Sequence, residues 1–141
     1  MFQVVVVGAD GSATARRAVE AAVEMAAMSG GALHIVSAFE SKTYAEGGRP
    51  AEFRNVSNEG DVDALLQTLS FIAKNRGLEP VLHSATGDAA GVLVRTAEEV
   101  GADLLVVGNK GMKGVRRVLG SVPNSVAHDA PCSVFIVDTT E

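Results

Sequence analysis

The chain has 141 residues, of which 47% are hydrophobic and 21% charged, a composition typical of one globular domain with its own core. Its net charge of −5 argues against a general nucleic-acid-binding protein. With Cys132 as the only cysteine, an internal disulfide is excluded. No signal peptide or membrane-spanning apolar run is recognisable. We therefore expect a single domain over residues 1–141, in the cytoplasm, without nucleic acid or membrane partners.

The first half of the chain predicts two strands that flank a helix. Phe2 to Val7 is a short β-branched run, and the turn after it carries a carboxylate, Asp10. Ser12 is a preferred helix cap, and helical apolar spacing then continues to the Gly30-Gly31 pair, which predicts the helix end. Residues 32–38 read as a second strand. Residues 39–60 show no periodicity and predict either a flap over a site or a disordered insertion.

Strands and helices continue to alternate in the second half. The predicted helices cover residues 61–76, 88–100 and 121–128, and the predicted strands cover 79–85, 104–107 and 133–137. This alternation predicts an α/β domain with a parallel sheet and helices on both faces. Ligands of such sheets lie beyond the carboxyl ends of the strands, where the strand order reverses. The sequence alone leaves open whether the first and fourth strands are neighbours.

Glycines and cations are concentrated after the fourth strand. Gly108, Gly111, Gly114 and Gly120 follow the buried run within thirteen positions, and Ser121 and Pro123 then begin a helix. Exposed amides and a helix N-terminus favour an anion, and we expect nucleotide phosphates. Lys110, Lys113, Arg116 and Arg117 add positive charge there, although the two arginines fit the outer face of a helix equally well. The stretch matches neither a P-loop nor the dinucleotide fingerprint.

Several short motifs together resemble the universal stress protein family from end to end. They are Val-Gly-Ala-Asp-Gly-Ser (7–12), Gly87-Asp88, Ala-Asp-Leu-Leu-Val-Val-Gly (102–108), Gly-Asn-Lys-Gly (108–111), Gly-Ser-Val (120–122) and Ala-Pro-Cys-Ser-Val (130–134). The resemblance is weakest across residues 39–60. The pattern Gly-x-x-Gly, a spacer and then Gly-Ser is similar to the family's ATP-binding members.

The resemblance implies a Rossmann-like fold of the adenine nucleotide alpha hydrolase type, with five parallel strands in the order 3-2-1-4-5. It also implies a homodimer through the last strand and an adenine nucleotide, ATP with Mg²⁺, as ligand. Asp10 would approach the ribose or the metal, and the backbone of Ser37 and Ala38 would meet the adenine. Contacts to ribose and phosphate would come from Gly108, Asn109, Gly111, Gly120, Ser121 and Val122. The predicted binding set also includes their neighbours Ala9, Met112 and Pro123.

One departure from the family pattern concerns the spacer. Eight residues separate Gly111 from Gly120, where the ATP-binding pattern has nine. In a helix, the loss of one residue rotates all later positions by about 100°. The preference for ATP over AMP or cyclic AMP is therefore open, and the shortened spacer also fits a dimerisation module that has lost its ligand.

Other candidate residues favour ordinary structural roles. His34, His83 and His128 lie on different elements without metal-site spacing, and we expect them to be packing residues. Cys132 is expected to be a structural thiol. Asp10 has an alternative role as a turn residue that bonds its own backbone. No catalytic constellation is recognisable, so the expected function is a stress-response binding module; a slow ATPase or autophosphorylating enzyme is the alternative.

Overall fold

The computed structural model describes residues 1–10, 15–39, 59–109 and 121–139. Strands and helices alternate along it as the sequence predicts. The strands are β1 (Val4–Gly8), β2 (Ala32–Phe39), β3 (Val81–Thr86), β4 (Leu104–Gly108) and β5 (Ser133–Val137); the helices are α1 (Ala15–Ser29), α2 (Glu59–Lys74), α3 (Ala89–Val100) and α4 (Ser121–Asp129). The proposed cap of α1, Ser12, and the aperiodic residues 40–58 lie outside the described residues.

The five strands form one parallel sheet in the order β3-β2-β1-β4-β5. The order implied by the family resemblance is thus confirmed, and it makes β1 and β4 neighbours. Their register pairs Val5 with Leu104 and Val7 with Val106. The chain therefore adds β2 and β3 on one side of β1, crosses back over the sheet, and adds β4 and β5 on the other side.

Each face of the sheet has its own apolar core. Val5 and Val7 of β1 pack with α1 and α2 on one face, whereas Val6 packs with α3 on the other. This division results from the strand geometry, because successive side chains point to opposite faces. All three valines are fully buried, as is expected of a central strand covered on both sides.

Helix α3 has a well-defined beginning and end. The Asp88 carboxylate accepts a hydrogen bond from the Gly91 amide at 2.9 Å, which satisfies one amide of the first turn. At the other end, Gly101 adopts a left-handed conformation with φ of 67°, which glycine adopts at little cost. In the described part of the chain, no helix is long and apolar enough to cross a membrane.

A carboxylate joins β1 and β4 at the amino edge of the sheet. Asp103 accepts hydrogen bonds from the amides of Gln3 and Val4 at 2.9 and 3.0 Å, and its own amide donates to the Val4 carbonyl. The bonds from Gln3 and Val4 lower the pKa of the Asp103 carboxyl below its ordinary value. The pairing of the two central strands is therefore held at the edge opposite to the candidate site.

Candidate functional site

The strand order reverses between β1 and β4, and this reversal opens a crevice at the carboxyl edge of the sheet. The ends of the two strands carry half-buried residues with little or no side chain: Gly8 at the end of β1, Ala9 directly after it, and Gly108 at the end of β4. Asp10 is exposed directly beyond them. The structure thus brings together two predicted segments that lie about a hundred residues apart in the sequence.

The end of β1 is held tightly on both sides. The Ala9 amide donates to the Val36 carbonyl of β2 at 2.9 Å, so the pairing of β1 with β2 continues past the last residue of the strand. A side chain at Gly8 would lie 2.7 Å from the methyl groups of Leu93, which packs against the glycine from α3. Asp10 therefore follows two residues, Gly8 and Ala9, whose positions are fixed by contacts with α3 and β2.

Strand β2 ends beside β1 at the same edge. Its register pairs Gly8 with Val36, so Ser37 and Ala38 extend one and two positions further along their strand. Ser37 is buried and Ala38 is half-buried. Both residues lie at the carboxyl edge of the sheet, and their contacts with adenine stay predictions.

Helix α4 begins at Ser121, as predicted. Asp129, its last residue, precedes the amino end of β5 by only four positions. Since β4 and β5 are parallel, α4 returns the chain from the carboxyl edge to the amino edge, and its N-terminus therefore lies on the carboxyl side of the sheet. Pro123 is buried in the first turn and Val122 packs against the core of the α3 face.

The remaining predicted contacts are not among the described residues. Gly111, Met112 and Gly120 lie outside them, and so do Lys110, Lys113, Arg116 and Arg117. Whether the amides of Gly108, Gly111 and Gly120 converge on one ligand is therefore still a prediction. The described part of the set lies at one edge of the sheet.

Asn109 has a structural role that the sequence analysis missed. Its side-chain oxygen accepts hydrogen bonds from the Thr139 amide at 2.9 Å and the Thr139 hydroxyl at 2.8 Å. Its side-chain nitrogen donates to the Asp138 carboxylate at 3.1 Å, and its amide donates to the Val137 carbonyl at 3.0 Å. We call the three hydrogen bonds of the Asn109 side chain, two from Thr139 and one to Asp138, the Asn109 clasp. Direct contact between Asn109 and a ligand stays a prediction.

Two of the three histidines, which we expected to be scattered, lie together. His34 of β2 and His83 of β3 stack with ring centroids 5.1 Å apart, and Nδ1 of His34 is 2.9 Å from Nε2 of His83. The register explains the contact, because His83 pairs with Val36 and thus lies diagonally opposite His34 on the same face. Each histidine is the third residue of its strand. This shared position predicts a contact only once the pairing of β2 with β3 is known.

The histidine pair favours neutral rings. Burial, followed by the neighbouring His83, lowers the pKa of His34; burial also lowers the pKa of His83, against an opposing effect of Glu99. In the described ranges, no group of three or more histidine, cysteine, aspartate or glutamate side chains could hold a metal ion. Cys132 is half-buried, and burial followed by the Asp103 charge raises the pKa of its thiol, as is typical of a structural cysteine.

Comparison with known proteins identifies the family. The sequence model of the Universal stress protein family matches residues 1–138. The chain belongs to this family. A universal stress protein of Mycobacterium tuberculosis H37Rv is 36% identical over 146 aligned positions, which cover 99% of this chain and 98% of that protein.

Solved structures of universal stress proteins share the fold. A crystal structure of a universal stress protein in complex with cAMP has a TM-score of 0.80 and 36% identity, and the alignment covers 99% of both chains. The Archaeoglobus fulgidus universal stress protein in complex with dAMP has a TM-score of 0.71 and 22% identity, over 96% of this chain and 98% of that one. At that lower identity, the second likeness supports the fold alone.

The histidine pair predicts a stability that depends on pH. A histidine whose pKa is lowered on folding binds fewer protons in the native state than in the unfolded state between the lowered value and 6.5. The free energy of unfolding should therefore fall as the pH falls from 7.5 to 5.5. Urea unfolding at the two pH values measures this decrease.

The variant His83→Gln should reduce the decrease by half or more, since it removes one titrating ring and also the neighbour that helps to lower the pKa of His34. His128→Gln, at an exposed position of α4 away from the pair, is the matched control for the loss of a histidine side chain. An equal decrease in the unaltered protein and the His83→Gln variant would contradict this interpretation.

Proposed function

We propose that this universal stress protein binds an adenine nucleotide in the crevice between the carboxyl ends of β1 and β4. The observation that carries the proposal is the match, over 99% of both chains, to a universal stress protein whose crystal structure is in complex with cAMP. That relative is 36% identical and has the same fold. The crevice is also where ligands bind in doubly wound sheets, because the strand order reverses there.

The physical character of the crevice supports an anionic ligand. Only small residues, Gly8, Ala9 and Gly108, end the two central strands at this edge. The places that Cβ atoms would take at Gly8 and Gly108 are filled by Leu93 and Thr139. The N-terminus of α4 has amides without partners inside the helix and a partial positive charge, both of which favour phosphate. Ser37 and Ala38, small residues at the end of β2, leave room for a base beside β1.

ATP with Mg²⁺ is the form that the family pattern favours. The exposed carboxylate of Asp10 is of the ligand type that Mg²⁺ uses, and Mg²⁺ in nucleotide sites takes one or two carboxylates together with substrate phosphates. Asp10 thus fits a metal held mainly by the phosphates. Cyclic AMP is the second candidate, favoured by the cAMP-bound relative. The eight-residue spacer between Gly111 and Gly120 departs from the ATP-binding pattern and leaves the choice of adenine nucleotide open.

The proposed activity is binding rather than turnover, in a cytoplasmic stress-response module. Asp10 is the only titratable side chain in the predicted binding set. General acid–base catalysis usually needs a positioned acid or base with a pKa near the working pH, and an exposed aspartate is a weak base. Rapid hydrolysis of ATP is therefore disfavoured.

The edge strand β5 supports the proposal of a homodimer. It pairs only with β4 within the described sheet, and an edge of this kind is a template for pairing with another chain. Phe135, in the middle of β5, is 38% exposed. A second copy of the chain would cover both the backbone edge and this aromatic ring.

The nucleotide proposal predicts that a negative charge at Ser121 weakens binding. Ser121→Asp keeps a residue that caps helices, but it sets a carboxylate where phosphate is expected; unit charges at 4 Å repel by about 1–4 kcal/mol for effective dielectric constants between 80 and 20. We expect the dissociation constants of cyclic AMP and ATP with Mg²⁺ to rise roughly tenfold or more. Isothermal titration calorimetry measures both constants.

Gln67→Glu is the matched control, because it adds one negative charge at an exposed position of α2, on the opposite face of the sheet from α4. Its affinities should equal those of the unaltered protein. If the unaltered protein binds neither nucleotide at millimolar concentration, the proposed function is wrong.

The proposal also predicts little turnover of ATP. Phosphate release with saturating ATP and Mg²⁺ should stay well below about 1 per second, the lower end of the usual range of kcat. A colorimetric phosphate assay measures it. Sustained release at or above that rate, lost in Asp10→Ala, would identify an enzyme instead.

The dimer proposal predicts that Phe135→Glu yields monomers, since a charge would be buried against the apolar edge of a second copy. Sedimentation velocity should show a dimer for the unaltered protein and a monomer for this variant. Phe71→Glu is the control: Phe71 is 59% exposed on α2, which packs against β2 and β3 rather than β5, and its variant should still dimerise. A monomeric unaltered protein would contradict the proposal.

A further inference from the structure

The Asn109 clasp joins the end of the chain to the edge of the sheet where the nucleotide is proposed to bind. Asn109 and Thr139 are only 1% and 2% exposed. Burial of an asparagine and a threonine is costly unless their polar atoms are paired, and in the described ranges every buried side-chain polar atom has a partner. The clasp is therefore a built, fully satisfied connection rather than a chance surface contact.

The clasp uses the asparagine side chain almost completely. Its oxygen accepts two hydrogen bonds, both from Thr139, and two is the number of its lone pairs. Its nitrogen donates one of two hydrogens to Asp138. In this arrangement the side chain has little capacity left for a ligand.

Thr139 also packs against the glycine next to Asn109. A Cβ atom at Gly108 would lie 3.2 Å from the Thr139 methyl carbon and 4.0 Å from Cβ of Ala18. The threonine thus lies over Gly108 between β4 and α1. Gly108 and Asn109 are held by the two residues that come after β5, as well as by the pairing of β4 with β5.

We infer that Asn109 is a positioning residue, which acts through Asp138 and Thr139 to fix the Gly108 backbone for the nucleotide. This inference rests on the proposed function. It assigns the C-terminal residues 138–139 to the nucleotide site, although neither residue belongs to the predicted binding set. Without the clasp, the end of β4 would be held only by its strand neighbours, and the preorganisation that favours binding would be lost.

Exchanging the side chains of Asn109 and Asp138 tests the inference. Asn109→Asp sets a second carboxylate against Asp138, so the affinity for cyclic AMP and for ATP with Mg²⁺ should fall at least tenfold. Asp138→Asn keeps an oxygen acceptor for Asn109, so it should lower the affinity less than Asn109→Asp does. In the double variant, the new asparagine can donate to the new aspartate, which still accepts from Thr139. Affinity should return to within threefold of the unaltered protein.

Two further variants separate positioning from general damage. Thr139→Val keeps the methyl packing on Gly108 but removes the hydroxyl donor, and it should weaken binding two- to fivefold with little loss of stability in urea. Asn75→Asp adds the same charge at an exposed position after α2 and should change nothing. Calorimetry gives the affinities, and urea unfolding shows that each variant is folded.

Amide hydrogen exchange provides a measurement that does not depend on nucleotide. The Asn109 and Thr139 amides should exchange faster in Asn109→Asp and slowly again in the double variant. Unchanged exchange or unchanged affinity in Asn109→Asp overturns the inference. So does a double variant that stays weak, which would indicate direct contact by the carboxamide. If the unaltered protein binds no nucleotide, the proposed function fails, and exchange alone decides whether the clasp holds β4.

Discussion

The pairing of β1 with β4 is the constraint on which the rest of this structure depends. These strands are separated by nearly a hundred residues, yet they form the centre of the sheet and are buried on both faces. Their contact determines that β2 and β3 lie on one side and β5 on the other. It creates the reversal of strand order, and with it the crevice in which we place the nucleotide.

The two edges of this central pair have different chemistry. At the amino edge, the Asp103 carboxylate binds the amides of Gln3 and Val4, so that the polar groups at the strand starts satisfy one another. At the carboxyl edge, glycine and alanine end the strands and Asp10 is exposed. One edge is therefore closed by hydrogen bonds to the Asp103 carboxylate, while the other is the edge at which we propose that the ligand binds.

The C-terminal residues connect the two features of the fold that bear on function. Strand β5 is the sheet edge that we propose for dimerisation, and Asp138 and Thr139 come directly after it and reach Asn109 beside the crevice. Residues 138 and 139 therefore contact Asn109 and Gly108 while lying directly after the edge strand. The packing of Thr139 gives Gly108 a structural reason, because a Cβ atom there would lie 3.2 Å from the threonine methyl carbon.

The sequence by itself determined most of the helices and strands, because burial selects apolar residues in a recognisable pattern. Strand β1 is a β-branched run, α1 and α3 have helical apolar spacing, and glycines mark where the helices end. It also indicated the anion site and the family. Local periodicity says nothing about which strands are neighbours, so the adjacency of β1 and β4 came from the resemblance and was decided by the tertiary structure. The contact of His34 with His83 and the Asn109 clasp were missed for the same physical reason. Each joins residues 29 or more positions apart through strand register, which is set by the packing of the whole sheet.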